Sequence, residues 1–121
     1  MKKQLLVKIT YIFVFFTLLF GFALKTNAQK IYVTNTESWA DIKVYVTTTE
    51  SWADLVVYKE TTESWATGNR GRWYFTDTES WADKKIYFTD TESWADLVIY
   101  FTNTESWAGW KKPEKKHLLE K

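Results

Sequence analysis

The sequence predicts a small all-β domain, closed or wrapped on itself, built of six thirteen-residue units behind an N-terminal signal helix. Three observations predict it. The pentapeptide Thr-Glu-Ser-Trp-Ala recurs at 36–40, 49–53, 62–66, 78–82, 91–95 and 104–108, at spacings of 13, 13, 16, 13 and 13. Each unit pairs a short run of β-branched and aromatic residues with a segment rich in Thr, Asn, Asp and Ser, the chemistry of a strand followed by a turn. No window carries the 3.6-residue periodicity of an amphipathic helix. One such unit cannot bury its own apolar face, so the units must close or wrap around a shared core.

Residues 1–28 read as a targeting segment. Lys2, Lys3 and Lys8 form a positive start, Ile9 to Leu24 is a nearly continuous apolar run, and Thr26-Asn27-Ala28 places small residues at the cleavage positions. Cleavage is expected between Ala28 and Gln29, which sends the protein across the inner membrane to the periplasm or the exterior. The competing expectation is an uncleaved N-terminal anchor. Sixteen residues, Ile9 to Leu24, at a helical rise reach only about 24 Å, short of a hydrocarbon core of roughly 30 Å. No cysteine follows the apolar run to carry a lipid.

The repeats fill residues 29–110, with units near 30–42, 43–55, 56–68, 72–84, 85–97 and 98–110. Gly68-Asn69-Arg70-Gly71 is a strong turn signal and separates two blocks of three units. Within a unit, alternation puts Ile31 and Val33 on one face and Tyr32 and Thr34 on the other, and the aliphatic face is the expected core. The alanine after each motif tryptophan suggests chain segments that approach closely. Residues 111–121 form a basic tail, expected to be solvated, with Leu118 and Leu119 able to dock it.

Charge narrows the partners. The whole chain is +1, but residues 29–121 hold 12 basic against 15 acidic residues. Residues 30–110 hold 7 against 13, and the tail 5 against 2. An acidic body argues against nucleic acid, whose binding rests on cations neutralising phosphates. With no cysteine in the chain, stability rests on packing, closure or association; a homodimer through an exposed sheet edge stays open.

The motif residues offer little catalytic chemistry. Trp39, Trp52, Trp65, Trp81, Trp94 and Trp107 are read either as a packing row or as platforms for sugar rings, with packing preferred because a disulfide-free domain needs their area. Glu37, Glu50, Glu63, Glu79, Glu92 and Glu105, with Asp41, Asp54, Asp83 and Asp96, lack the glycine-containing loop of a calcium site, so solvated or turn-capping roles are expected. Glycosidase chemistry needs two acids in unlike environments, whereas repeat-equivalent acids are alike. Ser38 and its equivalents are expected to bond their own turns. His117 alone can neither activate six serines nor build a zinc site. No catalytic, cofactor or metal residue is assigned. Lys59-Glu60, Trp73 and Gly109-Trp110 depart from the repeat and are read as adaptations at the middle and end of the array.

Taken together, Ala-Asp-x-x-Ile/Val-Tyr-Val/Phe-Thr, the midpoint Ala66-Thr67-Gly68-Asn69-Arg70-Gly71-Arg72-Trp73-Tyr74-Phe75 and the stretch from Ala108 to Leu119 resemble the bacterial 7(1) septoil knot domain family. The resemblance covers about residues 30 to 119. It implies a small β-structure whose backbone winds into a seven-crossing torus knot, and it implies no activity. The expected function is a non-enzymatic exported structural or interaction module. A glycan-binding protein of the cell envelope is the alternative, and a hydrolase is disfavoured.

Overall fold

The computed structural model describes residues 29–120. The expected signal segment and cleavage position therefore lie outside the described residues, except for Gln29. Seven strands form: β1 (Lys30–Val33), β2 (Ile42–Val46), β3 (Leu55–Lys59), β4 (Arg72–Phe75), β5 (Lys84–Phe88), β6 (Leu97–Thr102) and β7 (Gly109–Trp110). Each of the first six is followed by a single 3-10 turn made by Glu-Ser-Trp, from Glu37–Trp39 through Glu105–Trp107.

The strands pair in the order β4-β1-β5-β2-β6-β3, and β3 pairs with β4 as well, so six parallel strands close into a barrel. The two blocks of the sequence alternate around it. β1, β2 and β3 make one circuit, and β5 and β6 enter the gaps between them. The third turn leads to Ala66, whose carbonyl accepts from the Gln29 N–H at 2.7 Å, so the chain arrives at the foot of β1, already occupied. The residue 68–71 insertion then diverts it to β4 and starts the second circuit. Two glycines make that diversion possible, Gly68 at φ 70° and Gly71 at φ 84°. At Gly71 a Cβ would also stand 2.3 Å from the Val56 carbonyl oxygen.

Register fixes the tilt. Val33 lies opposite Ile86, and Ile86 opposite Ile42; Val46 lies opposite Ile99, and Ile99 opposite Leu55. Each step to a neighbouring strand therefore slips two positions in the repeat, and Lys59 opposite Trp73 and Phe75 opposite Ile31 continue the slip through β4. A shear this large for six strands tilts them steeply. That tilt is why the eight or so residues between strands suffice to bring the chain back to the other end.

The aliphatic face is the core, as alternation predicts. Ile31, Val44, Val57, Trp73, Ile86 and Ile99 occupy one position in the six units and are all fully buried. Ile42, Leu55 and Leu97 lie two residues before in their strands, toward the N-terminal end, and are also buried. Each aliphatic side chain so buried stabilises the fold by roughly 1.5–3 kcal/mol before entropy is counted. Trp73 is thus the largest member of the core rather than an end adaptation; one indole in a ring of Ile and Val fills the barrel axis.

The tail is not a solvated extension. β7 pairs antiparallel with β3, and Pro113–Leu119 forms a 3-10 helix that returns Leu119, 2% exposed, to the core. Leu118 packs beside it. An apolar barrel end would otherwise face water; Leu119 and Leu118 cover it, and the lysines and glutamates of the tail stay mostly outside.

Candidate functional site

The repeated polar residues have different fates. The threonines ending each run make the turns: Thr34, Thr47, Thr76, Thr89 and Thr102 accept through Oγ1 from the N–H two residues on, at 3.1–3.3 Å. That local bond lets the chain leave the strand and enter the 3-10 turn. No serine of the motif makes a hydrogen bond among the described residues, so the turn role expected of Ser38 and its equivalents belongs to these threonines.

The aspartates fasten one circuit to the other. Lys85 N–H donates to Asp41 Oδ2 at 2.8 Å while Asp41 N–H donates to the Lys85 carbonyl at 2.7 Å. The same reciprocal pair joins Asp54 to Val98, Asp83 to Lys30 and Asp96 to Lys43. A charged acceptor on a backbone N–H makes a strong hydrogen bond. Asp41 and Asp96 are exposed, as expected of them, whereas Asp54 is buried and Asp83 partly so; the turn-capping expectation is corrected, because all four hold the edges where interleaved strands begin. The repeat lacks an aspartate where the chain stops following the pattern, at Thr67 and Gly109.

The six tryptophans are exposed. Trp39, Trp52, Trp81, Trp94 and Trp107 lie at 65–66% and Trp65 at 58%. The preferred packing reading is overturned. The barrel interior is already filled, and the connections carrying these rings run outside a closed sheet. Five of them pass over the strand lying between the two they join, and the third, which joins the adjacent β3 and β4, reaches across to the foot of β1 before turning back, so the order of strands sets the order of rings around the belt: Trp65, Trp81, Trp39, Trp94, Trp52, Trp107. Neighbours in space therefore come from alternate halves of the sequence.

Between neighbouring turns lie polar grooves that combine both circuits. One is lined by Ser51 and Trp52 of the second turn, Glu92 of the fifth, and Lys112. Another is lined by Ser64, Trp65 and Thr67 of the third turn, Glu105 of the sixth, and Arg72. Five motif glutamates hold a cation: Glu37–Lys43, Glu50–Lys111, Glu63–Lys30, Glu79–Lys85 and Glu105–Arg72, at 2.9–3.8 Å. Glu92 has no such partner among the described residues, which leaves its carboxylate available beside Trp52.

Arg72 of the second groove also faces the departure at Glu60. Glu60 stands where other units have threonine, and its side chain is only 2% exposed. Arg72 Nε lies 4.0 Å from Glu60 Oε1, and Arg72 Nη1 is committed to Glu105 at 2.9 Å. Burial and the Glu105 charge push the Glu60 carboxyl above its ordinary range, and Arg72 opposes them only in part. Glu60 Oε1 finds no hydrogen bond among the described residues. The sequence marks Glu60 as a departure; only the fold sets it beside Glu105, forty-five positions away.

Asp54 is the opposite case. Burial raises its carboxyl, but the Val98 N–H, Lys115 and Lys112 together outweigh that and hold it below its ordinary value. His117 is exposed on the tail, its Nδ1 3.0 Å from the Glu114 carbonyl, and meets no motif serine. Among the described residues no three or more His, Asp or Glu gather as metal ligands, and no helix is long and apolar enough to cross a membrane.

Comparison with known proteins adds one match. The family model described as the 7(1) septoil knot domain matches residues 28–111. No curated protein and no solved structure matches the chain.

Proposed function

The chain belongs to the 7(1) septoil knot domain family, and from that premise we propose that it is an exported, non-enzymatic binding module whose tryptophan belt engages glycan polymers of the cell envelope. The carrying observation is the exposure of all six motif rings, 58–66% each, with a glutamate of the next turn beside Trp52 and beside Trp65. Flat indole faces stack on the apolar faces of sugar rings, and carboxylates accept from hydroxyls. Indoles with more than half of their surface exposed gain only the smaller part of the burial energy a tryptophan can supply, so packing alone does not account for their presence in every unit. Six near-equivalent platforms suit a repeating ligand, because linked weak contacts multiply.

Two further parts of the reading rest on other supports. Export rests on the basic start, apolar run and small residues of 1–28. The seven-crossing winding rests on the family's description and on the two interleaved circuits, with five of the connections passing outside a strand of the other. The test is a binding screen of the purified protein against cell-envelope polysaccharides, with Trp52→Ala in parallel. The reading expects a ligand whose affinity falls in the variant while the fold persists; absence of any ligand across the screen would leave a scaffold.

A further inference from the structure

The strands' C-terminal ends form a mouth that the belt does not use. Val33, Val46, Lys59, Phe75, Phe88 and Phe101 occupy one position in the six units and line an open bowl of about 370 Å³ at that end. The opposite end is closed by Leu119, so this is the barrel's open face. Five of its six residues are apolar. The sixth, Lys59, is a cation, and it departs from the repeat.

Lys59 is held over aromatic rings and not by an acid. Its amine lies 4.4 Å from the Phe101 ring centroid and 5.7 Å from that of Phe75. No carboxylate pairs with it among the described residues. Its neighbour Glu60 points to the other face of the strand, where it meets Arg72. Ring faces attract a cation but leave its hydrogen-bond donors unfilled. Lys59 is exposed at the rim, where the apolar wall of Phe75 and Phe101 keeps water from one side of its ammonium, so it attracts an anion more strongly than a lysine on a flat polar surface.

We propose that this mouth binds a small amphipathic carboxylate, with the carboxylate on Lys59 Nζ and the apolar body against Phe75, Phe88 and Phe101. The volume lies within the usual range for small-molecule sites, and a barrel mouth is a customary place for one. Charge complementarity selects the acid: the bowl offers one cation and no acceptor side chain, so a neutral alcohol of equal length finds the walls and loses the head-group contact.

The test titrates octanoate and octanol into the purified protein, with binding followed by calorimetry and by NMR shifts of the phenylalanine rings. Lys59→Val is the main variant because Val33 and Val46 already occupy equivalent positions, so the barrel accepts it. Lys59→Gln serves if the valine variant fails to fold. Octanoate is expected to saturate the site and shift the Phe75, Phe88 and Phe101 resonances. Its affinity should exceed that of octanol, and that of octanoate for the Lys59 variant, by about tenfold or more, as expected for a hydrogen bond to a charged group. Trp52→Ala should bind octanoate as the native chain does. No saturable octanoate binding, equal binding of octanol, or undiminished binding by a folded Lys59 variant would overturn the proposal.

Discussion

Replacing Asp54 with Asn should cost the domain about 2 kcal/mol, and replacing Asp41 with Asn should cost less than half of that. Both carboxylates accept a neighbouring strand's N–H at 2.8 Å. Asparagine's carbonyl can keep that bond, so the change at Asp41 removes only its charge assistance, about 0.5–1 kcal/mol. Asp54 does more: it is 1% exposed and also receives Lys115 at 3.0 Å and Lys112 at 3.2 Å. Both lysines are partly exposed, at 36% and 53%, so each contact is discounted for solvent to well under the value of a buried pair, about 0.5–1 kcal/mol. At roughly 4–8 °C per kcal/mol for a domain of this size, the midpoint should fall by about 10 °C for Asp54→Asn and a few degrees for Asp41→Asn. Thermal unfolding followed by near-UV circular dichroism measures both. The Asp54 carboxyl is held below its unfolded value of 3.8, so its stabilisation is complete above that pH and disappears as pH falls through the lower folded value. The gap between native and Asp54→Asn midpoints should therefore close below about pH 4. Equal losses for the two variants, or a gap unchanged by acid, would refute the assignment of Asp54 as the anchor of the tail.

Three other outcomes follow from the same structure. Trp73→Ala should destabilise by about 3–5 kcal/mol, measured by urea unfolding, because it empties the barrel axis. Trp52→Ala should stay within about 0.5 kcal/mol of the native chain in the same measurement, since its ring is exposed. Glu60→Thr should stabilise by about 1 kcal/mol at pH 7, restoring the turn bond made in the other five units and removing an unsatisfied buried carboxylate. The Glu60 carboxyl is raised in the fold, so its protonated form is fully accommodated below 4.5, and stability is lost as pH rises through the folded value; the Glu60→Thr advantage should accordingly shrink in acid.

The sequence makes some of this architecture legible and hides the rest for physical reasons. Period and alternation are local properties, so Ile31, Val44, Ile86 and Ile99 can be assigned to the core from their spacing. The glycines of 68–71 mark the halfway turn for the same reason. The interleaving is non-local. Val44 lies opposite Leu97, and nothing within either unit states that partner. The aspartates' acceptor role needs that partner strand and so is hidden within a unit, although their absence at Thr67 and Gly109 is a signal of it in the sequence. The tryptophans' exposure runs against composition, because an indole normally belongs in a core; here the core is filled from the strands, and the turn carrying each ring lies outside the closed wall. Glu60 and Lys59 were visible as departures, but only the fold separates them, one under the connections and one at the mouth.

The measurement that reaches the central claim most directly is a titration of envelope polysaccharide into the native protein and into Trp52→Ala/Trp94→Ala, with intrinsic fluorescence as the readout. These rings are neighbours on the belt, one from each circuit, and the free carboxylate of Glu92 lies in the groove by Trp52. The account predicts saturable quenching or enhancement for the native chain, and affinity reduced about tenfold or more in the folded double variant, from about 1–3 kcal/mol per lost ring stack. A native chain that binds none of the polysaccharides, or a folded double variant that binds as well as the native chain, would contradict it.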